Sequence, residues 1–154
     1  MGMATAICSS FKQELMQGGH NLGSNTIKAC LVKASSTLVS TNQTNVGTPG
    51  TGAPTTANIG IDEVSGTGYT AGGVTTTVGS VGLTGTVSYW QPGGAISFGT
   101  VTLATAFDAV VLYNSTQTNK AIAAWNFGST TVNNGTFTIN LPTNDSSNAL
   151  IRLN

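Results

Sequence analysis

Thr130-Thr131-Val132-Asn133-Asn134-Gly135-Thr136-Phe137-Thr138-Ile139 carries the strongest hairpin signal in the chain. Asn and Gly tolerate the left-handed backbone of a tight turn, and the β-branched and aromatic residues on either side favour strands. The same alternation of strand runs and turn residues continues outward. Strand-like runs fall near 26–32, 57–63, 74–81, 83–90, 96–103, 107–113, 121–127, 136–141 and 149–153. Between them stand Gly66, Gly68, Gly72-Gly73, Pro92-Gly93-Gly94 and Asn114-Ser115. Eight or nine short strands at this spacing, with no strand-to-helix alternation, predict an all-β fold: an antiparallel β-sandwich of the jelly-roll kind.

One helical signal precedes the strands. Between Ala4 and Gln17, the residues Ile7, Phe11 and Leu15 recur every fourth position, and Gly18-Gly19 supplies a stop. Ser10 with Gln13 is a weak capping box, consistent with a late start. So short a helix must bury its apolar stripe, either on the domain's own core or, as an arm, on a neighbouring subunit. The organisation expected is an N-terminal arm or short helix over 1–24, then one sandwich domain over 25–154. The stretch from about 35 to 58 is so rich in Thr, Asn, Gly and Pro that it reads as a long surface loop with almost nothing to bury.

Length and charge narrow the function. A chain of 154 residues can bury a substantial core in one domain. Five Lys and Arg balance five Asp and Glu, scattered singly or in pairs. That leaves no basic face for nucleic acid or for an anionic membrane. No window approaches the length of apolar sequence that spans a bilayer, and the first ten residues make a poor secretory signal. With so little charge to keep copies apart, self-association or a permanent partner is expected. Cys8 and Cys30 make no CxxC or metal spacing and are read as free thiols.

Chemistry-bearing patterns are sparse. His20 is the only histidine and reads as an ordinary loop residue. Val78-Gly79-Ser80-Val81-Gly82 lacks the spacing of a GxSxG nucleophile elbow. Gly66-Thr67-Gly68-Tyr69-Thr70-Ala71 approaches a phosphate-binding GxGxxG, but it ends in alanine and precedes no helix, so it reads as a turn. Asp62 and Glu63 are adjacent and would point to opposite faces of a strand, which argues against a glycosidase pair. No catalytic, cofactor-binding or metal-ligating residue is therefore assigned, and a non-enzymatic protein is expected. The candidate interface residues are Ile7, Phe11, Leu15 and Trp90. Trp90 is included as the member of the Tyr89-Trp90 pair chosen to face outward, where it could serve an interface or a sugar-stacking platform.

Three segments resemble small virion proteins of tailed bacteriophages: Met3 to Leu15 (MATAICSSFKQEL), Glu63 to Gly73 (EVSGTGYTAGG) and Phe107 to Thr116 (FDAVVLYNST). The likeness spans most of the chain and leaves 35–58 uncovered. It implies a capsid decoration, or cement, protein, with the major capsid protein and further copies of itself as partners, located in the virion and assembled in the host cytoplasm. A tail or neck subunit and a carbohydrate-binding adhesion module are the alternative readings.

Overall fold

The computed structural model describes residues Met1–Asn154. In chain order the elements are β1 (Ala6–Ile7), α1 (Ser9–Met16), β2 (Ile27–Lys33), β3 (Val74–Thr75), β4 (Gly82–Thr84), β5 (Val87–Trp90), β6 (Ile96–Asn114), β7 (Lys120–Ile139) and β8 (Ile151–Leu153). They make an all-β antiparallel sandwich with one short helix near the N-terminus. Its five-stranded sheet runs β1-β7-β6-β2-β3 and its three-stranded sheet runs β4-β5-β8.

The long β6–β7 ribbon organises the molecule. Its closing turn is the Asn114-Ser115 region expected from sequence: Asn114 Oδ1 accepts from Gln117 N–H at 3.2 Å, and Thr118 and Asn119 are left-handed. The hairpin predicted at Asn134-Gly135 does not form. Asn134 does adopt a left-handed φ of 47°, but inside β7, where Leu103 pairs with Val132 and Val101 with Gly135. Three steps on β7 thus oppose two on β6, which is a bulge. The left-handed conformation that Asn-Gly favours serves a bulge as well as a turn, and β6 is long enough to pair with both sides of it. The runs 96–103 and 107–113 accordingly merge into β6, and 121–127 merges with most of 136–141 into β7.

β2, whose alternation of Ile27, Ala29 and Leu31 with Lys28 and Cys30 predicts a half-buried strand, is covered on both faces. Ile27, Ala29 and Leu31 join Phe11, Trp90, Val110, Leu112 and Ile151 in the layer between the two sheets. Cys30 and Val32 face the other way, onto Met3, Val46, Ile59, Val111 and Tyr113. That second layer is roofed by the 35–58 stretch, which is therefore not the surface loop with almost nothing to bury that its composition predicts. Ser36, Ser40, Gln43 and Val46 within it are buried. Their polar side chains pair with backbone and side-chain groups: Ser36 Oγ–H donates to Asp62 at 2.8 Å, Ser40 Oγ–H donates to Ala4 O at 2.5 Å, and Gln43 Nε2 donates to Asn45 O at 3.0 Å and Thr55 O at 2.8 Å, although Gln43 Oε1 has no partner. Polar residues can be interior when they satisfy backbone groups that no regular strand would pair.

Three smaller expectations also change. The 57–63 run is not a strand but contains a 3-10 turn at Gly60–Asp62. Only Val74–Thr75 of the 74–81 run pairs. The 83–90 run folds back on itself as the β4–β5 hairpin, with Thr84 opposite Val87 and Gly85 left-handed at φ 59°. The thiols of Cys8 and Cys30 are free and buried in different layers. Burial pushes the Cys8 thiol up to about 12 and raises that of Cys30 as well.

Candidate functional site

A groove of about 480 Å³ opens where the end of α1 and the 18–22 loop meet the three-stranded sheet. Leu15 and Leu22 form one wall, and Val81, Tyr89, Trp90, Ile151 and Leu153 form the other. Each wall has a local cause. Helix α1 stops because Gly18 takes a φ of 73° and Gly19 N–H closes onto Glu14 O at 2.8 Å. Within the facing wall, Gly79 lets the segment before β4 lie against the end of β5, since a Cβ there would collide with the Gln91 carbonyl and the Trp90 indole.

His20 locks the helix to the ribbon beneath this groove. Its side chain is fully buried, with Nε2 2.8 Å from Glu14 Oε2 and Nδ1 3.0 Å from Asn114 Nδ2. Gln117 N–H requires Asn114 to present its Oδ1 on that side, so the Asn114 NH2 donates to His20 Nδ1. The imidazole is then the Nε2–H tautomer donating to Glu14. Glu14 also pairs with Lys120 at 3.1 Å, and Phe11 meets the imidazole edge-on with ring centroids 4.9 Å apart. His20 is thus a structural hub rather than an ordinary loop residue. Both ring nitrogens are engaged, which leaves neither free to serve as a base or a metal ligand in this arrangement.

The carboxylates do not converge. Asp62 accepts from Ser36 Oγ–H at 2.8 Å, whereas Glu63 accepts from Tyr69 Oη–H at 2.8 Å. Asp145 accepts from the Asn148 side-chain NH2 at 2.9–3.0 Å and from the Ser147 and Asn148 amides at 2.8 Å each, and these bonds, the Asn148 side chain's foremost, hold its carboxyl below the usual range. Asp108 packs against Gly2. No cluster of three His, Cys, Asp or Glu side chains could hold a metal.

Of the four candidate interface residues, the structure brings Leu15 and Trp90 to one groove. Phe11 is fully buried under it, against His20. Ile7 lies apart, because it is in β1 opposite Ala123 rather than on the helix stripe. Trp90 is only 2% exposed, so it is not the outward member of its pair. Its register opposite Ile151 turns it into the core and leaves Tyr89 half-buried. Phe11 and Trp90 therefore build the groove from within instead of offering contact surface. The exposed apolar side chains at and beside its mouth are Val81, Leu83 and Leu153. Sequence reading missed these three. For Val81 and Leu83 the one signal was lone aliphatic residues in Gly-rich sequence, Ser80-Val81-Gly82-Leu83-Thr84, whereas Leu153 ends the apolar run Ala149-Leu150-Ile151-Arg152-Leu153 and carried no signal of exposure. Strands β4 and β8 are both edges of their sheet, each paired only with β5. Such an edge presents unpaired backbone groups to a neighbour.

Comparison with family models, with curated proteins and with solved structures finds no match to this chain.

Proposed function

We propose that the protein is a non-enzymatic virion structural protein that decorates and stabilises a phage capsid shell through contacts with the major capsid protein and with further copies of itself. The observation that carries this reading is the apolar groove with Val81, Leu83 and Leu153 exposed around it, between two unpaired sheet edges. The near-absence of charge and the resemblance to small phage virion proteins support it. Burying an aliphatic rim contributes about 25 cal/mol per Å², and a shell repeats each contact over many copies. Edge strands can extend a neighbour's sheet without any specialised chemistry.

Reconstruction of the virion tests the proposal. The expected result is density for the sandwich on the outer shell, at a regular copy number, with the β4–β8 side against a capsomer. Density confined to a tail or neck ring, or binding of a glycan with no particle association, would replace the cement reading with one of its alternatives.

A further inference from the structure

The Gly66–Gly73 run that fails as a phosphate loop closes on the chain's own Glu63 instead. The Glu63 Oε1 accepts from Tyr69 Oη–H at 2.8 Å and from Gly72 N–H at 2.6 Å, and burial raises this carboxyl above its usual 4.5 against the pull of those donors. The apolar interior is less completely closed. An opening of about 170 Å³ penetrates the layer between the sheets. Its inner wall is Ile96, Val110 and Leu112, exposed by 3%, 2% and 0%. Trp125, Ile139, Leu141 and Leu150 form the outer wall, and all four are half-buried, so the opening is reached from solvent. Asn140 is the one polar residue that lines it.

The opening follows from the course of the long ribbon. Ile96 pairs with Ile139 and Val110 with Trp125, and register shifts between Ser97 and Ala109 separate the two pairs. Bulges bend a strand, and the bent ribbon brings both pairs to one opening. Leu141 and Leu150, in the segment between β7 and β8, cover it without filling it. Close-packed interiors leave few voids larger than a water molecule, so a gap of this size is unusual. Water is a poor occupant, because a buried water needs about two to four polar partners and Asn140 is the only polar wall residue. A charged or hydrogen-bonding group would lose its hydration with nothing to replace it. What suits the lining is a molecule with no polar groups, and an apolar cavity of about 150 Å³ is enough to hold benzene or xenon.

We propose that this opening binds one small, neutral, apolar molecule of about the size of benzene, held against Val110 and Leu112 on the inside and Trp125 and Leu150 at the mouth. The site shares no residue with the groove of the proposed shell contact and does not rest on that reading. It is tested by adding benzene to the intact protein while the Val110, Leu112 and Leu150 methyl resonances and the Trp125 indole N–H are followed. Saturable shifts centred on these groups are expected. Pyrazine, a ring of the same size with a nitrogen acceptor at each end, should bind at least about tenfold more weakly, because one nitrogen is then buried without a donor. Val110→Phe fills the inner wall and should weaken benzene binding by about tenfold or more without lowering the melting temperature. Leu150→Trp, at the half-buried wall, should weaken it as well and covers the case in which Val110→Phe fails to fold. No saturable shift up to the aqueous solubility of benzene would overturn the proposal. Shifts centred on Leu15, Leu22 and Val81 of the groove, pyrazine binding as tight as that of benzene, or undiminished binding by either folded variant would overturn it too.

Discussion

Phe11 shows how much of this fold rests on single side chains. It is fully buried, packs edge-on to His20 and connects α1 to the layer between the sheets. Phe11→Ala should cost about 3–5 kcal/mol of unfolding free energy, read from the denaturant midpoint at unchanged slope. A loss under about 1 kcal/mol would mean that α1 is not part of the cooperative core. Glu63 makes a prediction of the opposite kind, in pH. Its folded-state carboxyl titrates above the usual 4.5, so the folded protein binds more proton than the unfolded chain between those two values. Its contribution to stability is full below about 4.5 and is lost as pH rises through the folded value. Glu63→Gln should flatten that part of the stability–pH curve, and a curve unchanged by the substitution would show that Glu63 does not carry it. Neither residue's role was legible in the sequence. Phe11 was visible as part of an apolar stripe, but periodicity does not say which surface a stripe meets. Glu63 looked like half of an acidic pair, and its real partners, Tyr69 and Gly72, become neighbours only when the loop folds back.

At the scale of elements, the bulge in β7 separates local preference from tertiary use. Asn134 is left-handed, and its N–H donates to Thr102 Oγ1 at 3.0 Å. Asn134→Ala should cost about 1–2 kcal/mol, because an ordinary L-residue pays that much in the left-handed region, whereas Asn134→Gly should change stability little. Equal losses for the two would point to a side-chain contact rather than backbone strain. What sequence could read here was conformational tolerance: Asn-Gly permits a positive φ. It could not read whether the flanking segments pair with each other or with a third strand, because that depends on the length of β6. The β-rich class, the antiparallel pairing, the helix stop at Gly18 and the turn after Asn114 were all legible, since each depends on residues near in sequence. The roof formed by 35–58 was not, since the burial of Gln43 and Ser36 depends on backbone partners supplied by distant segments. The groove was half legible: Leu15 and Trp90 were singled out, but its exposed rim was not.

The molecule as a whole carries little charge, and its groove is flanked by the exposed side chains Val81, Leu83 and Leu153. If the shell contact uses this region, its strength comes from apolar burial and edge pairing rather than from ion pairs, and those terms are not screened by salt. Binding of the purified protein to empty shells of the major capsid protein should therefore vary less than about threefold between low and moderately high ionic strength, in contrast to the steep salt dependence of a charge-steered interface. A double substitution, Leu83→Asp with Leu153→Asp, places two desolvation-averse carboxylates in the contact and should abolish co-sedimentation with shells. Both positions are exposed in the free protein, so the melting temperature should move by only a few degrees. Because Leu83 is in β4 and Leu153 is in β8, each single variant also tells which edge carries the contact. Retained shell binding by a folded double variant would remove this face from the interface, and a strong fall in wild-type affinity with salt would show that the few charges dominate after all.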